Sequence, residues 1–255
     1  MGRMEDEVIK TGIDELDTML GGGLLDDSLV LVIYDTNSFG WVLGVEIFRS
    51  LVSRNGFGVV TNYSFPLSLL QKYGKMLGFD VRKLGESRDM AIIDVFSAVN
   101  GIAADLPFVY SPGEIDASTY LPKMVSVYYE ILHEVGERKP IGITITLDGF
   151  AYLFGEESTM KLLQKNLVMK ESARVAERRK RPVNIFLLNQ DRVSKRFISW
   201  ISQYAEHIIE FSHREAPGVE KMVVRKSLLP DFEPCTAEFR FSKGKIRIVP
   251  ERLEI

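Results

Sequence analysis

Short apolar runs alternate with segments of helical periodicity along most of the chain. Residues 29–34, Leu-Val-Leu-Val-Ile-Tyr, are bounded by turn residues, which predicts a buried parallel strand. Apolar residues then recur at helical spacing, at Leu43, Ile47, Phe48 and Leu51. The pattern predicts the order strand, tight loop, helix.

The alternation continues through the middle of the chain. Further strands are predicted at residues 58–63, 91–95, 141–148 and 183–188, and helices at residues 65–77 and 157–179. Pro122 begins another helix, since proline is tolerated at the first helical position. The apolar face of this helix is formed by Met124, Val127, Tyr128, Ile131, Leu132 and Val135. Short strands follow at residues 206–211, 221–226, 237–241 and 245–249.

A segment of uncertain structure lies between the third strand and the Pro122 helix. Residues 97–117 are rich in Gly, Pro and Ala, and loops of this length are uncommon inside a compact domain. The segment is either a functional lid, a partner-binding excursion, or a connection that contains a short helix.

Composition narrows the class of protein. With 255 residues, of which 45% are hydrophobic, the chain can form one large α/β domain, and a net charge of −3 argues against a generally basic nucleic-acid binder. The single cysteine, Cys235, excludes an internal disulfide framework and is expected to be a small residue near a late strand. The histidines His133, His207 and His213 show no zinc spacing.

The chain has no membrane signature. No apolar run approaches the roughly 18 residues of a membrane span, and the polar, acidic residues 1–9 lack the apolar centre of a secretion signal. We therefore expect a short N-terminal arm at residues 1–9, a single domain at residues 10–255, and a cytoplasmic protein without membrane contact.

The loop after the first strand occupies the place of a nucleotide-binding loop. Such loops read Gly-x-x-x-x-Gly-Lys-Ser/Thr, because backbone N–H groups hold phosphates, Lys neutralises them and the hydroxyl binds magnesium. In register on Gly40, this chain has Asp35 for the first Gly, Trp41 for Lys and Val42 for the hydroxyl. The whole degenerate loop reads Asp35, Thr36, Asn37, Ser38, Phe39, Gly40, Trp41 and Val42. We expect no ATPase chemistry here.

Residues 11–23 read Thr-Gly-Ile-Asp-Glu-Leu-Asp-Thr-Met-Leu-Gly-Gly-Gly, a brief amphipathic helix before a triple-glycine turn. This segment resembles Thr-Gly-x-x-x-Leu-Asp-x-x-Leu-Gly-Gly-Gly, which precedes the phosphate loop in the KaiC/RadA branch of the RecA-like ATPases. The resemblance continues through Leu-Gly-Phe-Asp at residues 77–80 and covers residues 10–249. It implies an α/β, RecA-like fold, a mainly parallel doubly wound sheet with a C-terminal antiparallel extension.

Two further catalytic elements of that family are missing or altered. KaiC-like relatives end the second strand in a Glu-Glu pair, one of which positions the attacking water, whereas residues 61–68 contain no carboxylate. Active KaiC domains carry a Lys-x-Arg that reaches the nucleotide of the neighbouring subunit, whereas Arg225-Lys226-Ser227 keeps the charge without the spacing.

Other positions match the family. Asp148 corresponds to the acid that ends the Walker B strand and supports magnesium, and it is either a metal ligand or a relic held by hydrogen bonds. Asn189 and Gln190 match the pair whose Gln senses the terminal phosphate in RadA-like relatives.

Two cationic segments have alternative explanations. Arg192, Lys195, Arg196 and Trp200 occupy the position of the family's DNA-binding loop, so they either contact single-stranded DNA or pack locally. The basic residues 178–181 are expected to form a solvated helix C-terminus that complements the helix dipole.

Together these features favour a pseudo-ATPase without catalytic residues, metal or cofactor. The first hypothesis is a non-catalytic KaiC/RadA-like protein that acts through self-assembly or association with an active relative. The alternatives are a sensor that binds ATP or ADP without fast hydrolysis, and an accessory single-stranded DNA-binding recombination protein. An archaeal source suits the resemblance, but a charged fraction of 26% does not establish it.

Overall fold

The computed structural model describes residues 7–177, 182–213 and 218–251. Its strands are β1 (Val8–Ile9), β2 (Leu24–Leu25), β3 (Leu29–Tyr34), β4 (Gly56–Asn62), β5 (Met90–Asp94), β6 (Val109–Tyr110), β7 (Lys139–Ile145), β8 (Val183–Asn189), β9 (His207–His213), β10 (Glu220–Lys226), β11 (Cys235–Ser242) and β12 (Lys245–Pro250). Its helices are α1 (Asp14–Met19), α2 (Trp41–Ser53), α3 (Leu67–Met76), α4 (Val81–Glu86), α5 (Val95–Val99), α6 (Tyr120–Val135), α7 (Leu147–Phe154), α8 (Glu156–Glu177) and α9 (Lys195–Ser202), with a 3₁₀ turn at Gln190–Arg192.

Ten of the described strands form one sheet, in the order β12-β11-β10-β9-β3-β8-β7-β4-β5-β6. The strands from β9 to β6 in this order are parallel, whereas β10, β11 and β12 pair antiparallel. This arrangement confirms the expected RecA-like fold, with a mainly parallel sheet and an antiparallel extension at its C-terminal end.

Both faces of the sheet are covered, which explains the apolar run in β3. Val30, Val32 and Tyr34 pack with α2 on one face. Leu29, Leu31 and Ile33 pack on the opposite face in a core that includes side chains from α6, α7 and α9. Successive side chains of the strand point alternately into the two cores. Every position of the strand is therefore apolar.

Three local predictions need correction. Val8 and Ile9, assigned to the polar arm, pair antiparallel with Leu25 and Leu24 as β1 and β2. The uncertain segment at residues 97–117 begins within α5 and contains β6 at the edge of the sheet, so it is not one unstructured loop. Helix α4 was not predicted. Its first turn is capped by the Asp80 carboxylate, which accepts hydrogen bonds from the N–H groups of Arg82 and Lys83.

Other expectations are refined. The Pro122 helix begins at Tyr120, and Tyr128 and Leu132 are exposed although they were assigned to its apolar face. Cys235 begins β11, near a late strand as expected, and its Sγ lies 3.5 Å from the Met19 carbonyl oxygen. The basic run at residues 178–181 lies outside the described residues.

A buried histidine joins distant parts of the chain. The N–H of Leu25 donates to Nε2 of His207 at 3.0 Å, so Nδ1 carries the proton and donates to the Ser227 hydroxyl at 3.1 Å. That hydroxyl in turn donates to the carbonyl oxygen of Leu20 at 2.8 Å. The chain of hydrogen bonds requires a neutral imidazole, and burial, reinforced by the charge of Lys226, lowers the pKa of His207 to about 4.

This histidine makes stability depend on pH. Between the pKa of about 4 in the folded protein and an unfolded value near 6.5, the unfolded chain binds the extra proton, so stability is full above that window and falls as pH drops through it. We expect the free energy of unfolding to fall by about 2 kcal/mol more in the wild type than in His207→Gln between about pH 7.5 and about pH 5. Urea unfolding at both pH values measures this, and an identical pH dependence in the two proteins would contradict it.

Candidate functional site

The candidate site lies where three parallel strands end. Tyr34 ends β3, Ile145 ends β7 and Asn189 ends β8, and Tyr34 is paired in register with Asn189. The loop that follows β3 leads directly into α2. In open α/β sheets the carboxyl ends of the strands are the usual place for ligands, and the loop after β3 lies at that edge.

Carboxylates of the same chain bind the polar groups of this loop. The N–H of Phe39 donates to Oε1 of Glu220 at 2.8 Å, and the Ser38 hydroxyl donates to Oε2 of the same residue. The N–H of Thr36 donates to Oδ2 of Asp191 at 2.8 Å. The carboxylates of Glu220 and Asp191 therefore bind loop N–H groups that an anionic ligand could otherwise contact.

The remaining amides of the loop also bind internally. The N–H of Asn37 donates to Oδ1 of Asp35 at 3.1 Å, and that of Ser38 donates to the Asp35 carbonyl oxygen at 3.1 Å. The N–H of Gly40 donates to the Ser38 hydroxyl oxygen at 2.8 Å. From residue 36 to residue 40 each N–H therefore has an acceptor within the chain.

Packing accounts for the residue types at three positions of the loop, Gly40, Trp41 and Val42. A Cβ atom at Gly40 would overlap the ring of Phe211, so glycine is required by a close contact. Trp41 turns its ring toward Tyr73, with 5.3 Å between ring centroids. Val42 is buried in the core beneath α2.

Asp148 does not lie at a strand end, which corrects the Walker B prediction. Strand β7 stops at Ile145, and the Thr146 hydroxyl caps the next helix by accepting a hydrogen bond from the N–H of Gly149 at 3.2 Å. Asp148 therefore lies in the first turn of α7, and the residue at the strand end is apolar. The helical spacing of Leu147, Phe150 and Ala151, all buried, was the signal that could have predicted this helix.

The Asp148 carboxylate is buried and paired. Its Oδ1 accepts a hydrogen bond from the N–H of Asn189 at 3.0 Å, and its Oδ2 lies 2.8 Å from Nη1 of Arg192. Burial, then the negative charge of Asp148, raises the pKa of Tyr34 at the end of β3, so its phenol stays protonated.

The two residues of the predicted sensor pair, Asn189 and Gln190, have different surroundings. The Asn189 amide donates to the Thr36 hydroxyl oxygen at 3.2 Å and its oxygen accepts from the N–H of Asp191 at 3.0 Å, so it supports the loop. Gln190 begins the 3₁₀ turn and does not line the cavity described below.

The expected DNA-binding loop is a 3₁₀ turn followed by helix α9. Arg192 pairs with Asp148, and Nη1 of Arg196 lies 2.5 Å from Oε1 of Glu157. Lys195 begins the helix and is exposed. Trp200 packs against Tyr204, with ring centroids 5.0 Å apart. Two of the three cations are therefore occupied by acids of the same chain, and DNA contact stays a prediction.

A cavity of about 210 Å³ opens beside the loop. Its interior is apolar and includes Phe48, Val60, Leu70, Leu77, Phe79 and Ile143. Its lining also includes the rings of Trp41, Phe65 and Tyr73. We call its seven polar lining residues the rim: Tyr34, Thr36, Ser38, Thr146, Asp148, Asn189 and Arg192. No site was predicted at Phe65, Tyr73 or Tyr34, because aromatic residues after a strand or within a helix more often belong to the core.

A second cavity, of about 310 Å³, lies on the other face of the sheet between α6 and α8. Its lining includes four exposed apolar side chains, Tyr128, Tyr129, Leu132 and Met169. We call these four residues the α6–α8 patch.

Within the described ranges, no three His, Cys, Asp or Glu side chains are grouped so that they could hold a metal ion. Within the same ranges, no helix has both the length and the apolar character to span a membrane.

Solved structures share the fold of this chain. It is similar to the uncharacterized protein PH0321 from Pyrococcus horikoshii, solved in complex with an unknown peptide, with a TM-score of 0.82 and 21% identity over 96% of this chain and 100% of that one. It is also similar to the KaiC-like protein PH0186 from the hyperthermophilic archaeon Pyrococcus horikoshii OT3, with a TM-score of 0.68 and 14% identity over the same shares. No protein-family model and no curated protein matches the chain. The chain therefore has a KaiC-like, RecA-type fold.

The Glu220 contacts should contribute measurably to stability. Glu220→Ala leaves the buried Ser38 hydroxyl and the Phe39 N–H without their acceptor, so we expect the free energy of unfolding to fall by about 2 to 3 kcal/mol. Glu210→Ala is the matched control, because it removes a carboxylate whose partner, Arg225, is exposed, and it should cost under about 1 kcal/mol. Urea unfolding measures both values, and equal losses would contradict the role of Glu220.

Proposed function

We propose that this protein is a non-hydrolysing KaiC-like protein that acts by binding another polypeptide. The observation that carries the proposal is the internal occupation of the loop, in which Glu220 and Asp191 accept hydrogen bonds from the amides of Phe39 and Thr36. A nucleotide phosphate would have to displace both carboxylates.

Electrostatics supports the same conclusion. Phosphates at the loop would approach the carboxylates of Glu220 and Asp191, and like charges at short range repel. Trp41 supplies no cation to offset this, and Val42 supplies no oxygen for magnesium. The sensor hypothesis, with ATP or ADP bound but not hydrolysed, is therefore the less favoured alternative.

Two observations support a polypeptide as the partner. PH0321, which shares the fold over nearly the whole chain, was solved in complex with an unknown peptide. The α6–α8 patch exposes several large apolar side chains together, among them Tyr129 at 56% and Met169 at 43%, and contiguous exposed apolar surface often marks a protein contact. The polypeptide is a second copy of this chain, as in a self-assembled ring, or an active relative.

The proposal makes a prediction about nucleotide binding and hydrolysis. We expect no shift in melting temperature with about 1 mM Mg-ATP, ADP or GTP, and no ATP hydrolysis above background. A ligand with a dissociation constant of about 10 μM would stabilise the protein by about 2.7 kcal/mol, or roughly 2 to 4 °C for each kcal/mol in a chain of this size.

Two variants distinguish nucleotide binding or hydrolysis by the protein itself from the activity of a contaminating ATPase. Hydrolysis or a thermal shift that disappears in Asp148→Ala would contradict the proposal and favour an enzyme or a sensor. Arg196→Gln is the control, since this residue pairs with Glu157 outside the cavity.

The proposal also predicts that the α6–α8 patch binds peptides. Random peptides of about twelve residues, displayed and selected on the immobilised protein, should yield apolar binders that dock on this surface. The double variant Tyr129→Asp and Met169→Asp should bind the selected peptides at least about 10-fold more weakly by fluorescence anisotropy, because the buried contact becomes charged.

The control is Tyr152→Asp, which changes a tyrosine that is 81% exposed and does not line the groove. Light scattering of the wild type and the double variant reports whether self-association uses the same patch. Equal peptide affinity in all three proteins, together with an unchanged molar mass, would contradict binding at this surface.

A further inference from the structure

The cavity beside the loop combines an apolar interior with a pair of opposite charges at its rim. Asp148 and Arg192 both line it, with Oδ2 and Nη1 2.8 Å apart. We propose that this cavity binds a free amino acid with a large apolar side chain. The ligand's ammonium group would bind Asp148, its carboxylate would bind Arg192, and its side chain would enter the interior.

The acid has capacity for a ligand. The Asp148 side chain is fully buried, and Oδ1 accepts one hydrogen bond, from the N–H of Asn189. Oδ2 accepts no directed hydrogen bond from the described residues, although it is close to the Arg192 guanidinium. Buried carboxylate oxygens normally accept hydrogen bonds, and an ammonium group carries three donors.

The cation is accessible from solvent. The Arg192 side chain is 45% exposed, whereas the acid it contacts is not exposed at all. A guanidinium has five N–H donors in a planar fork, so one contact with Asp148 leaves others for a carboxylate. Such pairs are often bidentate, which fixes the orientation of the carboxylate.

The interior suits a single apolar side chain. Its volume is about 210 Å³, and rings line one wall, where Tyr73 lies between Trp41 and Phe65 with centroid distances of 5.3 and 5.7 Å. Small-molecule sites are typically apolar pockets with a few well-placed polar groups, and this cavity follows that description.

The charge arrangement discriminates among ligands. The rim pair is neutral overall, so a zwitterion matches both charges, whereas a simple anion would meet Asp148 and a simple cation would meet Arg192. This inference rests on the cavity alone and is independent of what binds the α6–α8 patch.

Trp41 provides the readout, because it lines the cavity and the chain has only one other tryptophan, Trp200. In a Trp200→Phe background, L-phenylalanine and L-leucine should change Trp41 fluorescence saturably below about 10 mM. Glycine should bind at least about 10-fold more weakly, since it buries no side chain.

The charges are tested with two analogues of L-phenylalanine. Phenylalaninamide lacks the carboxylate and 3-phenylpropanoate lacks the ammonium, so each should bind at least about 10-fold more weakly than L-phenylalanine. Arg192→Gln should abolish the preference over phenylalaninamide, and Asp148→Asn the preference over 3-phenylpropanoate. A merely structural role for either residue would lower all affinities together and leave these ratios unchanged.

Arg196→Gln is the matched control and should preserve both preferences. The proposal is overturned by any of three results: no saturable signal with L-phenylalanine or L-leucine, equal affinity for the analogues in the wild type, or ratios unaffected by Arg192→Gln and Asp148→Asn.

Discussion

The carboxylate of Glu220 holds the loop after β3 in place. It accepts hydrogen bonds from the Ser38 hydroxyl and the Phe39 N–H, and it comes from β10, in the antiparallel extension of the sheet. The contact is buried, so its loss would leave polar groups without partners. The antiparallel extension therefore has a direct structural role at the place where relatives of this fold hold phosphates.

Side chains of this chain also occupy the rest of the site. Asp191 accepts a hydrogen bond from the Thr36 N–H, and the Trp41 ring lines an apolar cavity with Tyr73. Beside the loop, the open space at the strand ends is an apolar pocket with one ion pair at its rim. That combination leads to the ligand class inferred above.

The sheet separates two surfaces with different chemistry. On the face covered by α2 and α3, the pocket is small and has charged groups at its rim. On the opposite face, the α6–α8 patch is broad and mainly apolar. The proposed small ligand and the proposed polypeptide would bind at separate places on the molecule, so binding at either one can be measured without the other.

The sequence by itself determined the central strands, the long helices and the parallel core, because buried strands and amphipathic helices leave periodic apolar patterns that need no long-range information. It did not determine short elements such as α4, β6 and α7. It also located the altered loop at Asp35 to Val42. Only the tertiary structure decided what that loop contacts: Ser38 and Glu220 are 182 residues apart, and no local pattern links them. The placement of Asp148 in α7, the pairing of Arg192 and the cavity beside Trp41 likewise depend on packing between distant segments, since burial and charge pairing arise only when the strands assemble.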